Sequence, residues 1–359
     1  MSLIESIFSR QPAPLIGLDI SSSALKMVEL KQGKSKEWVL QKCAIEPLDH
    51  GWLVDGTIEN FDEVLAALRR LLKKTATKTK NIAMALSPSA VITKKMIVPA
   101  GLSDQELESQ VEAEANQYIP FALEEASLDF CVIGPASNSP GDVEVLIAAS
   151  RKEKVQDRLA LAEAAGLKLM VMDVESYSGR LALSRLIAQL PSNGVGATVA
   201  LFEVGSQATS MQVLRDDVVL YEREQPFGSA QLLKLIVRQY GLTMEEAVIK
   251  RRNADLPDDY SASVLEPFVT GISNEIGRAL QFFFTSTQHN SVDYIMLSGE
   301  AGIFTGLSKL VTAQTTFPCA VINPFEGMEI DQSVREKKLR IEAPSYMIAC
   351  GLAMRRYQK

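Results

Sequence analysis

Ile16-Gly17-Leu18-Asp19-Ile20-Ser21-Ser22-Ser23-Ala24-Leu25-Lys26-Met27-Val28-Glu29-Leu30 reads as an apolar strand ending in an acid, a turn of small hydroxyls, and a second strand. The plan recurs at Ala200-Leu201-Phe202-Glu203-Val204-Gly205-Ser206-Gln207-Ala208-Thr209-Ser210-Met211-Gln212-Val213-Leu214. Asp19 and Glu203 stand 184 positions apart, and the same offset aligns Ala24 with Ala208 and Met27 with Met211. Tight turns of Gly and Ser point backbone N–H groups at a phosphate, and an acid at their edge can hold a hydrated Mg²⁺. Two such turns facing each other from two half-domains would clamp a nucleotide. A single copy would carry far less weight.

Composition bounds the alternatives. At 359 residues the chain is long enough for two substantial cores. Hydrophobic residues at 47% and charged residues at 23% are ordinary globular usage, and a net charge of −7 argues against nucleic acid as the main partner. The Lys/Arg runs, Arg69-Arg70 with Lys73-Lys74, Arg251-Arg252 and Arg335 to Arg340, are short and read as solvated faces. Cys43, Cys131, Cys319 and Cys350 are scattered and only His50 and His289 exist, which disfavours a zinc site and fits reduced cytoplasmic thiols. No apolar run reaches the roughly 18 residues needed to span a bilayer. Leu3, Ile4, Ile7 and Phe8 recur at helical spacing and read as a loosely docked tail or a short anchor.

Periodicity predicts strands over about 15–20, 24–30 and 37–46, with a turn at Gln32-Gly33-Lys34 between the last two. A helix over 61–74 and a buried strand over 81–86 follow. An insert begins near residue 90: a strand over 91–98, then a helix announced by the capping box Ser103/Glu106 and the staple Leu102/Leu107 and stopped by Pro120. Strands over 127–133 and 143–149 complete it, and Ser150 with Glu153 reads as a second capping box opening a helix that closes at Gly166. A strand over 167–174, a helix over 177–190 and a linker over 191–196 lead to the second half. There the repeated hairpin is followed by a strand over 218–223, helices over 229–240, 243–252 and 261–285, a strand over 294–297 and a closing helix over 346–356.

Asp19 and Glu203 are the candidate Mg²⁺ acids, and each alone could equally cap a turn. Ser21, Ser22, Ser23 and Lys26 would hold phosphates at the first turn; Gly205, Ser206, Gln207 and Thr209 at the second, with Gly228 close by in sequence. Ser298-Gly299-Glu300-Ala301-Gly302 lets the backbone approach a base or ribose, or is simply a strand-to-helix loop. Glu175, entering a small-residue helix, could orient a water toward a terminal phosphate or serve as an ordinary first-turn acid. Neither a Ser/His/Asp nor a Cys/His constellation can be built from two histidines, and Walker A and G-x-G-x-x-G motifs are absent.

Together these features resemble the actin, Hsp70 and sugar-kinase superfamily, an α/β fold of two duplicated ribonuclease-H-like lobes. Ala85-Leu86-Ser87-Pro88-Ser89, Tyr118-Ile119-Pro120-Phe121, Leu128-Asp129-Phe130, Ala148-Ala149-Ser150-Arg151-Lys152-Glu153, Asp173-Val174-Glu175, Ile322-Asn323-Pro324-Phe325 and Cys350-Gly351-Leu352-Ala353 are similar to the PilM family of type IV pilus assembly. The resemblance spans essentially the whole chain. It implies an N-terminal tail over 1–13 and a subdomain 1A over 14–90 and 167–192 with the helix 345–359. It further implies a 1C insert over 91–166 and a second lobe, 2A/2B, over 193–344. It implies ATP and Mg²⁺ as cofactors, and the cytoplasmic N-terminal peptide of the inner-membrane protein PilN as partner. Pilus motor ATPases are a further expected partner. The expected location is cytoplasmic, peripheral to the inner membrane through that partner. Tyr118 and Phe121, at the end of the capped helix, are candidate peptide contacts or insert core.

Two departures stand out. Family members usually carry Asp where this chain has Glu203, which implies weak or absent hydrolysis because Mg²⁺ demands near-ideal octahedral geometry. Related folds often carry Glu before a Lys on the helix that touches adenosine, whereas Ala247-Val248-Ile249 precede Lys250 here. Competing readings are a small-molecule kinase, which needs a further base in the cleft, and an FtsA-like membrane tether, which carries a terminal amphipathic helix.

Overall fold

A computed structural model describes residues 14–33, 37–136 and 139–357. The apolar segment Leu3 to Phe8 and Lys34 of the expected turn lie outside the described residues. The chain opens with β1 (Ile16–Ile20), β2 (Ala24–Gln32) and β3 (Trp38–Pro47), a consecutive antiparallel meander. A small hairpin of β4 (Leu53–Val54) and β5 (Thr57–Ile58) precedes α1 (Phe61–Thr75), which buries Val64, Leu65, Leu68 and Leu71. β6 (Asn81–Leu86) then runs parallel to β1.

The insert comprises β7 (Val91–Pro99), α2 (Asp104–Tyr118), β8 (Ala126–Pro135) and β9 (Asp142–Arg151), with β9 between the other two strands. The Ser103/Glu106 capping box is present: Glu106 N–H donates to Ser103 Oγ, and Ser103 N–H to Glu106 Oε2 at 2.8 Å. The second expected box does not form. Ser150 is the penultimate residue of β9 and its Oγ donates to Ala90 O at 2.9 Å, so α3 (Lys152–Ala164) starts after Arg151 without a side-chain cap. Sheet pairing claims the serine before the helix can.

β10 (Lys168–Val174) lies parallel to β6, and α4 (Glu175–Ile187) begins at Glu175, two residues before the expected start. The second meander is β11 (Thr198–Val204), β12 (Thr209–Arg215) and β13 (Val218–Gln225). Three helices follow, α5 (Ala230–Tyr240), α6 (Met244–Arg252) and α7 (Glu266–Ser286), the last entered through a π-helical turn over Ser261–Leu265. β14 (Tyr294–Gly299), α8 (Leu307–Thr315), β15 (Cys319–Val321), β16 (Glu329–Ile330), α9 (Glu336–Glu342) and α10 (Met347–Met354) complete the chain.

The two large sheets carry the duplication. Their orders are β10-β6-β1-β2-β3-β16 and β13-β12-β11-β14-β15. Each has an antiparallel meander whose first strand pairs with a parallel strand on its other side. The strand pairs keep the same offset: Asp19 faces Lys26 across β1 and β2, and Glu203 faces Ser210 across β11 and β12. α1 and α3 cover one face of the first sheet, and α5 to α8 pack on the second. Between the sheets lies a shared apolar core that includes Val28, Leu201, Leu183, Tyr346 and Met347. The backbones of α4 and α10 nearly touch there; a Cβ at Gly351 would sit 1.7 Å from Ser178 O, so only glycine fits. This contact fixes the distance between the elements that hold the two lobes together.

Candidate functional site

Each meander turns at its first hairpin, and the two turns close with the same bond. Ser21 N–H donates to Ala24 O at 3.0 Å, and Gly205 N–H to Ala208 O at 2.9 Å. The N–H groups of Ser22, Ser23, Ser206 and Gln207 take no part in that closure. Ser21 adds a hydroxyl lock, accepting from Ala24 N–H at 3.2 Å. Gly205 achieves the turn by bareness, because a Cβ there would lie 2.7 Å from Ala208 O.

The turns stand on opposite walls of one cleft of about 550 Å³. Asp19, Ser21, Ser22, Ser23, Lys26, Glu175, Glu203, Gly205, Ser206, Gln207, Gly299 and Glu300 all line it. Glu300 crosses the gap: it accepts from Ser23 Oγ of the first lobe at 2.9 Å and from Ser229 Oγ of the second. Gly299 adopts φ +69°, and a Cβ there would meet Val204 O at 2.4 Å, so the loop can lie against the end of β11 only as glycine.

The cleft concentrates buried charge. Lys26 Nζ donates to Asp19 Oδ2 at 3.0 Å with both side chains buried. Burial alone would lower the Lys26 pKa, but Asp19, then Glu203 and Glu300, overcome it and hold the ammonium above its ordinary range. Glu203 is pushed up to about 7, chiefly by burial, with Lys26 opposing and Asp19 reinforcing the shift. Glu175 rises further, to about 8, through burial and the nearby Asp19 and Glu203. Three carboxyls thus share the cleft with Lys26, and burial raises two of them, Glu175 and Glu203, above the ordinary carboxylate range. Among the described residues no three His, Cys, Asp or Glu side chains converge to hold a metal ion directly.

Five expected site residues do not line this cleft. Thr209 Oγ1 donates to Phe227 O at 2.6 Å, fixing the loop behind the second turn. Gly228 packs that loop against the turn itself, where a Cβ would meet Ser206 O at 2.3 Å. Ser298 is buried behind β11, and Gly302 lies against the Pro344 ring. Lys250 is on α6, paired with Asp255 at 3.0 Å, so its charge is spent locally. Conversely, Arg158 of α3, Ser87 and Ser89 line the cleft but were not anticipated, and neither was the Asp55-Gly56 turn of the β4–β5 hairpin. The Asp-Gly pair between Val54 and Thr57 is a hairpin signal that could have revealed the turn.

A second concavity, of about 430 Å³, separates the insert from the first sheet. Leu146 and Ala148 of β9, Leu128 of β8, Val171 and Tyr177 form apolar walls, and Asp173 lies within them, bonded by Arg355 at 2.5 and 2.7 Å. Among the described residues β8 is an edge strand, paired to β9. Tyr118 and Phe121 do not line this groove. They belong to the α2 side of the insert: Lys94 sits over the half-exposed Tyr118 ring, and Phe121 packs against Ala115, Ile119 and Ala149 with Arg151 4.6 Å above it.

Comparison with known proteins matches this architecture. The family described as "Type IV pilus assembly protein PilM" covers residues 17–357. A solved "PilM-PilN type IV pilus biogenesis complex" contains a chain 29% identical, with TM-score 0.78, covering 96% of this chain and 99% of that one. The ethanolamine utilization protein EutJ from Carboxydothermus hydrogenoformans shares the fold at 12% identity and TM-score 0.55, over 96% of this chain and 90% of that one. The fold is actin-like, and the chain belongs to the PilM family of type IV pilus assembly proteins.

Proposed function

We propose that this chain is an ATP-binding scaffold of type IV pilus assembly that holds nucleotide between its lobes and the cytoplasmic peptide of a PilN-type partner beside its insert. The observation that carries the reading is the pair of identically closed turns on opposite walls of one cleft, with Lys26 and buried acids between them. The N–H groups of Ser22, Ser23, Ser206 and Gln207 suit phosphate oxygens, and Lys26 would neutralise them. The acids suit Mg²⁺, which takes one or two carboxylates and keeps waters and substrate phosphates as its other ligands. When bound, the ion would offset the phosphate charge. Asp19 and Glu203 are its natural supports, through water, and Glu175 stands beside them.

The same features favour holding nucleotide over consuming it. Glu175 enters the cleft at the start of α4, crowded by Asp19 and Glu203, and burial holds its carboxyl above the ordinary range. Glu203 extends one methylene beyond the family's usual Asp. Among the described residues no helix is long and apolar enough to cross a membrane, so attachment at the inner membrane would come through the partner. The groove offers that partner apolar walls and the free edge of β8, to which an extended peptide can add.

The test is calorimetric titration of Mg·ATP with and without a synthetic N-terminal PilN peptide, repeated on Asp19→Ala. Binding of both ligands, with ATP affinity lost in the variant, is the expected result. Peptide binding without ATP affinity would make the cleft vestigial. ATP binding without peptide binding would return the kinase and tether readings.

A further inference from the structure

Among the described residues, Arg158 is the buried charge with two side-chain nitrogens left without a hydrogen-bond partner. It is 3% exposed, yet among the described residues its Nε and Nη1 have no hydrogen-bond partner. Its Nη2 donates to Gly56 O at 3.0 Å, and among the described residues it forms no ion pair within 4.0 Å. Unpaired buried N–H groups of a cation are costly to leave unmade, so Arg158 gains from any arrangement that brings them an acceptor. Arginine cannot escape the cost by losing its proton. Arg158 lines the cleft together with Asp19 and Glu175, and burial lowers its pKa against the opposing pull of Glu175, Asp157 and Asp19.

We propose that Arg158 is a ligand for the terminal phosphate of the bound nucleotide and the residue by which this protein tells a nucleoside triphosphate from a diphosphate. The proposal rests on the nucleotide reading above. A planar guanidinium with two free donors matches a phosphate oxygen pair in a fork that lysine cannot reproduce. Lys26 is already paired with Asp19 beside the first turn, whereas Arg158 enters the same cleft from α3, next to the Asp55-Gly56 hairpin. Nε and Nη1 are covered in the structure, so engagement requires the side chain to turn outward, which sacrifices only the Gly56 bond. The hairpin tip is held separately by Lys154, one helical turn before Arg158, which bonds Thr57 Oγ1 and Asp55 O.

The experiment measures the affinities of Mg·ATP and Mg·ADP for the full chain, the wild type against Arg158→Met and Arg158→Lys. Methionine keeps the volume and removes the donors; lysine keeps the charge and removes the fork. Arg158→Met should weaken ATP roughly 10- to 100-fold, the scale of one charge-assisted bond pair, and leave ADP within about twofold. Arg158→Lys should fall between. Equal losses for the two nucleotides, or no loss for either, would overturn the assignment while leaving nucleotide binding intact. A wild type that binds neither nucleotide would remove the parent reading and this one with it. A second measurement needs no variant: amide exchange across Asp55 to Thr57 should change on adding a non-hydrolysable ATP analogue and not on adding ADP. Identical responses to both would also overturn it.

Discussion

At the first turn Asp19 faces Lys26 across the ladder; at the second, in the same register, Glu203 faces Ser210. The backbone has been duplicated down to the closing hydrogen bond, but the charge balance has not. The first lobe carries its acid and the neutralising cation on adjacent strands, 3.0 Å apart. The second lobe carries an acid whose main opposing cation, Lys26, belongs to the other lobe. One half is electrostatically self-sufficient and the other depends on cleft closure. The difference teaches that hairpin geometry and site electrostatics are separable properties of this fold, and it can be broken at several points.

Lys26→Met should have the largest effect. It strands the buried Asp19 carboxylate, a loss of about 3–5 kcal/mol by urea unfolding. Ser210→Ala, at the matching place in the second lobe, should cost under about 1 kcal/mol. Equal costs would erase the asymmetry.

The next effect is on pH. Glu203 and Glu175 keep protons in the folded state that an unfolded chain releases above its ordinary value of 4.5. The folded state therefore binds more protons than the unfolded state from there to about pH 7 or 8, and stability must fall as pH rises through that window. Ligand-free protein should lose stability progressively between pH 5 and pH 8, by at most about 1.4 kcal/mol per pH unit for each retained proton, and Glu203→Gln should flatten part of the slope. A flat wild-type profile over that range would mean the acids are better solvated than the geometry indicates.

Smaller effects sharpen the comparison of the turns themselves. Gly205→Ala should lower stability by about 1–2 kcal/mol, because its Cβ collides with Ala208 O, whereas Ser21→Ala, which only loses the hydroxyl lock on Ala24, should cost about 1 kcal/mol. Thermal melts of the two variants decide which turn is the more constrained. Smallest of all, Glu203→Asp should strengthen the Mg²⁺ dependence of ATP affinity about fivefold, ~1 kcal/mol, by restoring the shorter carboxylate. No change in that titration would separate Glu203 from the ion.

The repeat was legible because both signals that mark it, an apolar strand ending in an acid and a turn of small residues, are local. The Ser103/Glu106 box was legible for the same reason. Ser150 and Glu153 carry an identical local pattern, yet Ser150 already belongs to β9, so the pattern misleads where a strand runs into a helix without a gap. The β4–β5 and β16 pairings involve two residues per strand, too few for any periodicity to register. Arg158 sits among Lys152, Glu153, Lys154, Gln156 and Asp157, a stretch that reads as a solvated helix face. Its burial depends on the Gly56 hairpin about a hundred residues earlier, which no local reading reaches. Lys250 failed in the opposite sense: chemically apt, it is held on an exposed helix by a neighbour five residues away.

α10 has a consequence for how the molecule is made. Leu15, Ala83 and Ala85, from the first part of the chain, share an apolar cluster with Ile348 and Leu352, and Gly17 lies directly against the backbone of Ala349 and Ala353. On a ribosome extending the chain at typical rates, Leu15 and Gly17 therefore wait about 15–65 s for the helix that covers them. The strand made earlier is the one that packing finishes last.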